Sequence, residues 1–238
     1  MVKFEREAPG IYIMIRRLQY RCSFKSGINE TDLSKAVDTC RERFTDLVKE
    51  GRICNASFYK HENMGFLYIE EIVGSDSDPV ISVETIMSDL ISCLKSWPRE
   101  EGDVFFVPMI NVYYHHIPDG DLDVWERERT TAKKTRIGRI AFVYPEKLPS
   151  YVKYHTDIVN EGLLKGDKYQ FISLHENILF SYYEEPRNNV NLRETDEESK
   201  VIEEWLKVDP ESHFDRDKAC GNNFLVIPCL FTIDRLDL

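Results

Sequence analysis

Leu33, Val37, Cys40, Phe44 and Leu47 recur at spacings of three and four, which predicts one apolar helical face between Thr31 and about Lys49. Asn29 supplies a capping residue just ahead of it. A second amphipathic stretch runs from Ser150 to about Lys165, with Pro149 suited to its first turn. Other segments alternate or run apolar over strand lengths: QYRCSF, ASFYK and FLYIEE in the first half, and GRIAFVY, YQFISL and LFSYYEE in the second. Helical spacing returns at Val83–Trp97 and Glu197–Lys207, and each half closes on a strand, VFFVPMINVYY and FLVIPCLFTI.

The same order of elements thus occurs twice, and so do the residues. HENMGFLYIEE from His61 and HENILFSYYEE from His175 match without a gap, pairing Phe66 with Phe180 and Tyr68 with Tyr182. Arg21–Phe24 aligns with Arg139–Phe142 upstream, and Phe105–Met109 with Leu225–Cys229 downstream. Three blocks in one order indicate a duplicated unit of about 100 residues. The order βαββαβ is the ferredoxin-like arrangement, with two helices on one face of an antiparallel sheet. One unit leaves an aromatic sheet face bare, so the expected fold is α+β, a tandem ferredoxin-like pair forming an intrachain dimeric α/β-barrel-like unit. The expected boundaries are 11–118 for a structural first repeat, 119–135 for a charged linker with one helical turn near Trp125, and 136–238 for the second repeat. Residues 187–197 read as a polar loop.

Composition narrows the function classes. Apolar residues make up 42% and charged ones 31%, as in globular proteins. A net charge of −11 argues against a nucleic-acid partner and against docking on anionic lipid, since both need a basic face. No apolar run reaches the length of a spanning helix, and MVKFEREAPG lacks the apolar core of a signal peptide. Six scattered cysteines without a CxxC pair fit free thiols in a reducing, cytoplasmic setting better than disulfides or a metal site.

Tyr151 and His155 lie four apart, neighbours on one helix face. A histidine beside a phenol suits general acid–base work, and ordinary core packing explains the same spacing. Trp205 in EEWLKV offers either a core side chain or a flat platform for a ring. The corresponding first-half helix carries no His, Tyr or Trp, which fits one active and one structural half. His115 and His116 are adjacent on a strand and point apart, and His61 and His175 fall in matching exposed turns. No phosphate loop, GxSxG elbow or HExxH is present.

The second half, roughly residues 136–234, resembles the L-rhamnose mutarotase family. Arg139-Ile-Ala-Phe-Val143 is similar to that family's opening strand R-K-A-F-V. Tyr151, His155, Ile158 and Glu161 fall in register with its helix motif E-Y-x-x-R-H-x-x-I-W-P-E-L. Lys168-Tyr169-Gln-Phe171 is similar to N-Y-x-I, Ile178–Glu184 to L-L-F-x-x-x-E, and the helix holding Trp205 to the family's tryptophan helix. Tyr154 replaces the family's Arg, Val159-Asn160 its W-P pair, and Trp205 is one of two tryptophans. The resemblance implies interconversion of α and β anomers of a monosaccharide, without cofactor or metal. His155 would move the proton with Tyr151 as its partner, and Trp205, Arg139, Tyr154 and Tyr169 would bind the sugar. The chain would be a pseudo-dimeric monomer or a homodimer. A non-catalytic binding or regulatory module and a small cofactor-free monooxygenase are the rival readings of the same scaffold.

Overall fold

The computed structural model describes residues 14–75, 77–100, 102–116, 122–162 and 165–238. In the first half, β1 (Met14–Phe24) leads to helix α1 (Glu30–Lys49) and a hairpin of β2 (Ile53–His61) and β3 (Met64–Val73). All five residues of the expected α1 face are buried, and the Asn29 side chain accepts from the Thr31 and Asp32 amides. Both HEN turns place their glutamate in the left-handed region, Glu62 at φ 49° and Glu176 at φ 56°.

The helix expected over Val83–Trp97 is largely absent. Four residues form α2 (Val83–Ile86), followed by a 3₁₀ segment Ser88–Cys93 and the short strand β4 (Leu94–Lys95). Ser88, Asp89 and Ser92 account for the interruption, because such side chains compete for backbone hydrogen bonds and favour caps and turns. After β5 (Val107–Pro108) and β6 (Ile110–Tyr114), helix α3 (Leu122–Thr131) precedes the second half. That half comprises β7 (Thr135–Phe142), α4 (Leu148–Glu161), β8 (Lys165–Asp167), β9 (Phe171–His175) and β10 (Ile178–Glu185). It closes with β11 (Asn189–Asn191), α5 (Lys200–Lys207), β12 (Leu225–Ile227) and β13 (Cys229–Asp234). The expected polar loop therefore contains a strand, β11, paired with β8.

Each expected closing strand is two strands that part at a proline-containing bend. β5 pairs with β1 in its own half, whereas β6 pairs with β9 in the other. Likewise β12 pairs with β7 and β13 crosses to β2. One antiparallel sheet runs β13-β2-β3-β1 with β4 and β5 on the outer edge of β1, and the other runs β12-β7-β10-β9-β6. The two halves thus exchange their last strands.

The ladders also correct the strand alignment. Gly65 pairs with Cys22, and its match Leu179 pairs with Ala141, so Cys22 corresponds to Ala141 and Tyr20 to Arg139. The alignment of Arg21 with Arg139 is out by one residue, which reverses the face. Arg21 shares the sheet side of its partner Phe66, while Arg139 lies on the opposite side from Ile140, the partner of Phe180.

Three apolar clusters follow from this layering. Helix α1 and the α2 segment cover the outer face of the first sheet through Leu33, Phe44, Met87 and Leu90. Helix α4 covers the outer face of the second through Tyr151, packed with Val112, Ala141, Val143 and Leu179. Between the sheets Phe66 stacks on Phe180 at 5.1 Å and Tyr68 on Tyr182 at 3.7 Å. Gly138 permits this approach, since a Cβ there would lie 2.6 Å from the Tyr59 ring.

Helix α3 is the largest departure from expectation. Read as a charged linker with one turn, it is a ten-residue helix with Trp125, Glu126 and Arg129 buried. Arg129 donates five hydrogen bonds, to Glu70 on β3 and Glu184 on β10. Trp125 Nε1 adds a bond to Glu70 at 3.0 Å, and the Tyr68 and Tyr182 hydroxyls donate to Glu70 and Glu184 at 2.7 Å each. Among the described residues no helix is long and apolar enough to cross a membrane.

Candidate functional site

Helix α4 positions most of the candidate residues. Pro149 lies in its first turn, and Gly162 ends it at φ 63° with its amide bonded to the Ile158 carbonyl. Tyr151 and Ile158 face the sheet and are buried, while Tyr154 and His155 flank them half-buried. Helix α5 is joined to the end of α4 through Glu161. That carboxylate accepts from the Ser199 hydroxyl and from the Lys200 amide, at the N-terminus of α5 where negative charge is favoured. Ser199 also caps α5 by accepting from Ile202 N at 3.0 Å.

This docking brings together four of the expected residues. The Tyr151 and His155 rings stack at 3.9 Å, and Trp205 meets His155 edge-on at 5.2 Å. Tyr154 is 5.3 Å and Tyr151 is 6.0 Å from Trp205. Two further rings complete the cluster: Tyr113 of β6, 5.9 Å from His155, and His213, 4.6 Å from Trp205. Neither was legible as a member, since β6 arrives by strand exchange and His213 by a 3₁₀ turn (Pro210–His213) far along the chain. His213 is held by the Ser150 hydroxyl at 3.0 Å and the Asp209 carbonyl at 3.3 Å.

The electrostatics of His155 follow from its packing. Its Nδ1 lies 2.9 Å from the Tyr151 carbonyl, and because a carbonyl only accepts, Nδ1 carries the proton and Nε2 the lone pair. Burial pushes the imidazole down to about 4, against the weaker opposing pull of that carbonyl. Burial also raises the Tyr151 phenol above its usual range. At pH 7 both groups are neutral.

The other expected residues sit elsewhere. Tyr169 is fully buried between the sheets, donating to the Trp125 carbonyl at 2.7 Å, and does not meet His155. Arg139 shares the α4 side of the second sheet, but its Nε bonds Ser181 Oγ at 3.2 Å and its guanidinium lies between the Tyr183 and Phe224 rings. His115 and His116 point apart, one bonded to the Val190 carbonyl and the other stacked near Trp125. His61 and His175 are half-buried rather than exposed, and His175 contacts Arg21 and Trp97. No group of three His, Cys, Asp or Glu among the described residues is arranged to hold a metal ion.

No family model and no curated protein matches this chain. A solved structure of a "putative monooxygenase" from Lactobacillus acidophilus NCFM is similar over 92% of this chain and 96% of that one, at 7% identity and a TM-score of 0.41. A likeness that distant carries nothing about ligand or reaction. The α+β assignment rests on the two curled antiparallel sheets and their helices.

Proposed function

We propose that this protein is a non-catalytic small-molecule-binding module built on a duplicated ferredoxin-like unit, taking a monosaccharide-type ring against the aromatic surface of α4 and α5. The observation that carries this reading is the packing of His155, whose ring is stacked on Tyr151 and whose Nδ1 is taken up by the Tyr151 carbonyl. Anomer interconversion needs a proton given to the ring oxygen and one taken from the anomeric hydroxyl. A histidine held near 4 is a weak acceptor and is almost never charged at neutral pH, so it serves neither step well. The half-buried Trp205 and Tyr154, by contrast, suit recognition of a ring by its apolar face.

Support for the duplication comes from what meets across the sheets. Phe66 stacks on its sequence match Phe180, Tyr68 on Tyr182, and the matched pair Glu70 and Glu184 share Arg129. Reciprocal exchange of β6 and β13 fits a first repeat standing in for a partner subunit. The mutarotase-like isomerase, the activity implied by the resemblance, is the second reading. It is favoured by the tautomer of His155, which leaves Nε2 as an acceptor beside the Tyr151 phenol.

Tryptophan fluorescence titrated with a monosaccharide panel that includes L-rhamnose tests the binding claim. Saturable quenching that disappears in Trp205→Phe is expected. A silent panel, or quenching retained in that variant, refutes ring binding at this surface.

A further inference from the structure

Among the described residues Arg139 forms no ion pair, unlike four other buried or half-buried arginines; Arg17, which also lacks one, is filled instead by the Tyr68 hydroxyl and by carbonyls. Arg129 is held by Glu70 and Glu184, Arg136 by Asp234, Arg16 by Glu71 and Arg21 by Glu176. Carboxylates are abundant, 42 acidic residues against 31 basic ones, so the exception is not for want of them. Only Nε of Arg139 is hydrogen-bonded, to Ser181, and its two Nη groups make no hydrogen bond among the described residues. The Tyr183 and Phe224 rings hold the guanidinium at 4.8 and 4.4 Å. Such stacking fixes the plane of the fork and leaves its hydrogen-bonding edge unfilled.

Arg139 lines a cleft of about 500 Å³ together with Glu211, Arg216, Asn222, Asn223 and Phe224. Arg216 is already engaged, with Glu211 at 2.6 Å and the Gly221 carbonyl at 2.6 and 2.9 Å. The lining carries two positive charges and one negative, a net of one positive charge (2 − 1) concentrated on Arg139. A monoanion balances this, while a dianion meets Glu211 with charge in excess. The cleft is also rich in side-chain amides, which pair with hydroxyl groups.

We propose that the Arg139 cleft binds the carboxylate of a small hydroxy acid, such as a sugar acid, through the two Nη groups of the guanidinium. A planar carboxylate matches two parallel N–H donors, which a lysine cannot present. Burial, which already lowers the proton affinity of Arg139, makes an unpaired cation unfavourable there and favours an anion arriving from solvent. The site shares no residue with the Trp205 surface and does not rest on ring binding there.

The test is two-dimensional NMR of the arginine Nε–H resonances of the full chain, titrated separately with sodium D-glucuronate, D-glucose and inorganic phosphate. The Arg139 peak is assigned by its loss in Arg139→Lys. Glucuronate is expected to shift that peak saturably with a Kd of about 1 mM or tighter, glucose and phosphate giving no saturable shift. Isothermal titration is expected to show binding at least about tenfold weaker in both Arg139→Lys and Arg139→Gln. The lysine variant keeps the cation over the two rings, so it decides the matter if the glutamine variant fails to fold. A silent glucuronate titration, unaltered affinity in Arg139→Lys, or a response to phosphate alone overturns the proposal.

Discussion

Replacing Arg129 with methionine removes the cation that bridges two buried carboxylates. The arginine side chain is 1% exposed and those of Glu70 and Glu184 are 0% exposed, so water cannot take its place. Breaking a buried ion pair by deleting one partner costs about 3–5 kcal/mol. For a chain of this size that corresponds to a fall in Tm of roughly 6–20 °C, at about 2–4 °C per kcal/mol. The pH dependence gives a sharper check. Burial alone would raise the Glu70 carboxyl, but Arg129 overrides it and holds the group below the usual carboxylate range. In the wild type, Glu70 therefore contributes stability that is present above its unfolded value near ~4.3 and lost as pH falls through the lower folded value. In the variant the sign reverses: burial, no longer opposed by Arg129, raises the Glu70 carboxyl, so the folded state gains a proton and recovers stability as pH falls. Urea unfolding followed by circular dichroism at pH 7.5 and pH 5 measures both. The gap between wild type and variant is expected to narrow at pH 5, and the neutral triple variant Glu70→Gln, Glu184→Gln, Arg129→Met to recover most of the loss. A gap below about 1 kcal/mol at pH 7.5, or one that widens in acid, refutes the account of α3 as an internal clamp.

Trp205→Ala is expected to release α5, because no residue of that helix is fully buried and Trp205 is the side chain that packs it against the α4 cluster. Hydrogen exchange of residues 200–207 rises while the β3 and β10 amides stay protected; unchanged protection of α5 contradicts this. Gly138→Ala drives a Cβ into the Tyr59 ring and is expected to lower stability by about 1–3 kcal/mol in urea unfolding. A neutral outcome would mean that the sheets part freely. NMR titration of the His155 ring carbons is expected to show a midpoint of about 4. Because that folded value lies below the unfolded ~6.5, the His155 contribution to stability is present above pH ~6.5 and lost as pH falls toward the folded value. A midpoint near 6.5 would restore the histidine as an acid–base group.

Local patterns were legible where the chemistry is local. The spacing of Leu33, Val37, Cys40, Phe44 and Leu47 defined the buried face of α1, and the HEN turns marked both hairpins. The Tyr151–His155 pair was legible because a helix brings residues four apart together. What stayed hidden depends on partners distant in sequence. The charges of α3 read as solvated because Glu70 and Glu184 lie 59 and 55 residues away. Strand exchange was invisible because alternation says that a segment pairs, not which sheet it joins. The one-residue error at Arg139 has the same origin, since identity of residue type concealed a reversal of face that only the ladder reveals.

The pair at Tyr151 and His155 remains the point on which the reading turns. Saturation-transfer NMR of anomer exchange, run on L-rhamnose and a panel of free aldoses with wild type and His155→Ala, tests it most directly. The account predicts exchange at the buffer rate for both proteins. Acceleration by the wild type that is lost in His155→Ala would contradict it and establish an isomerase.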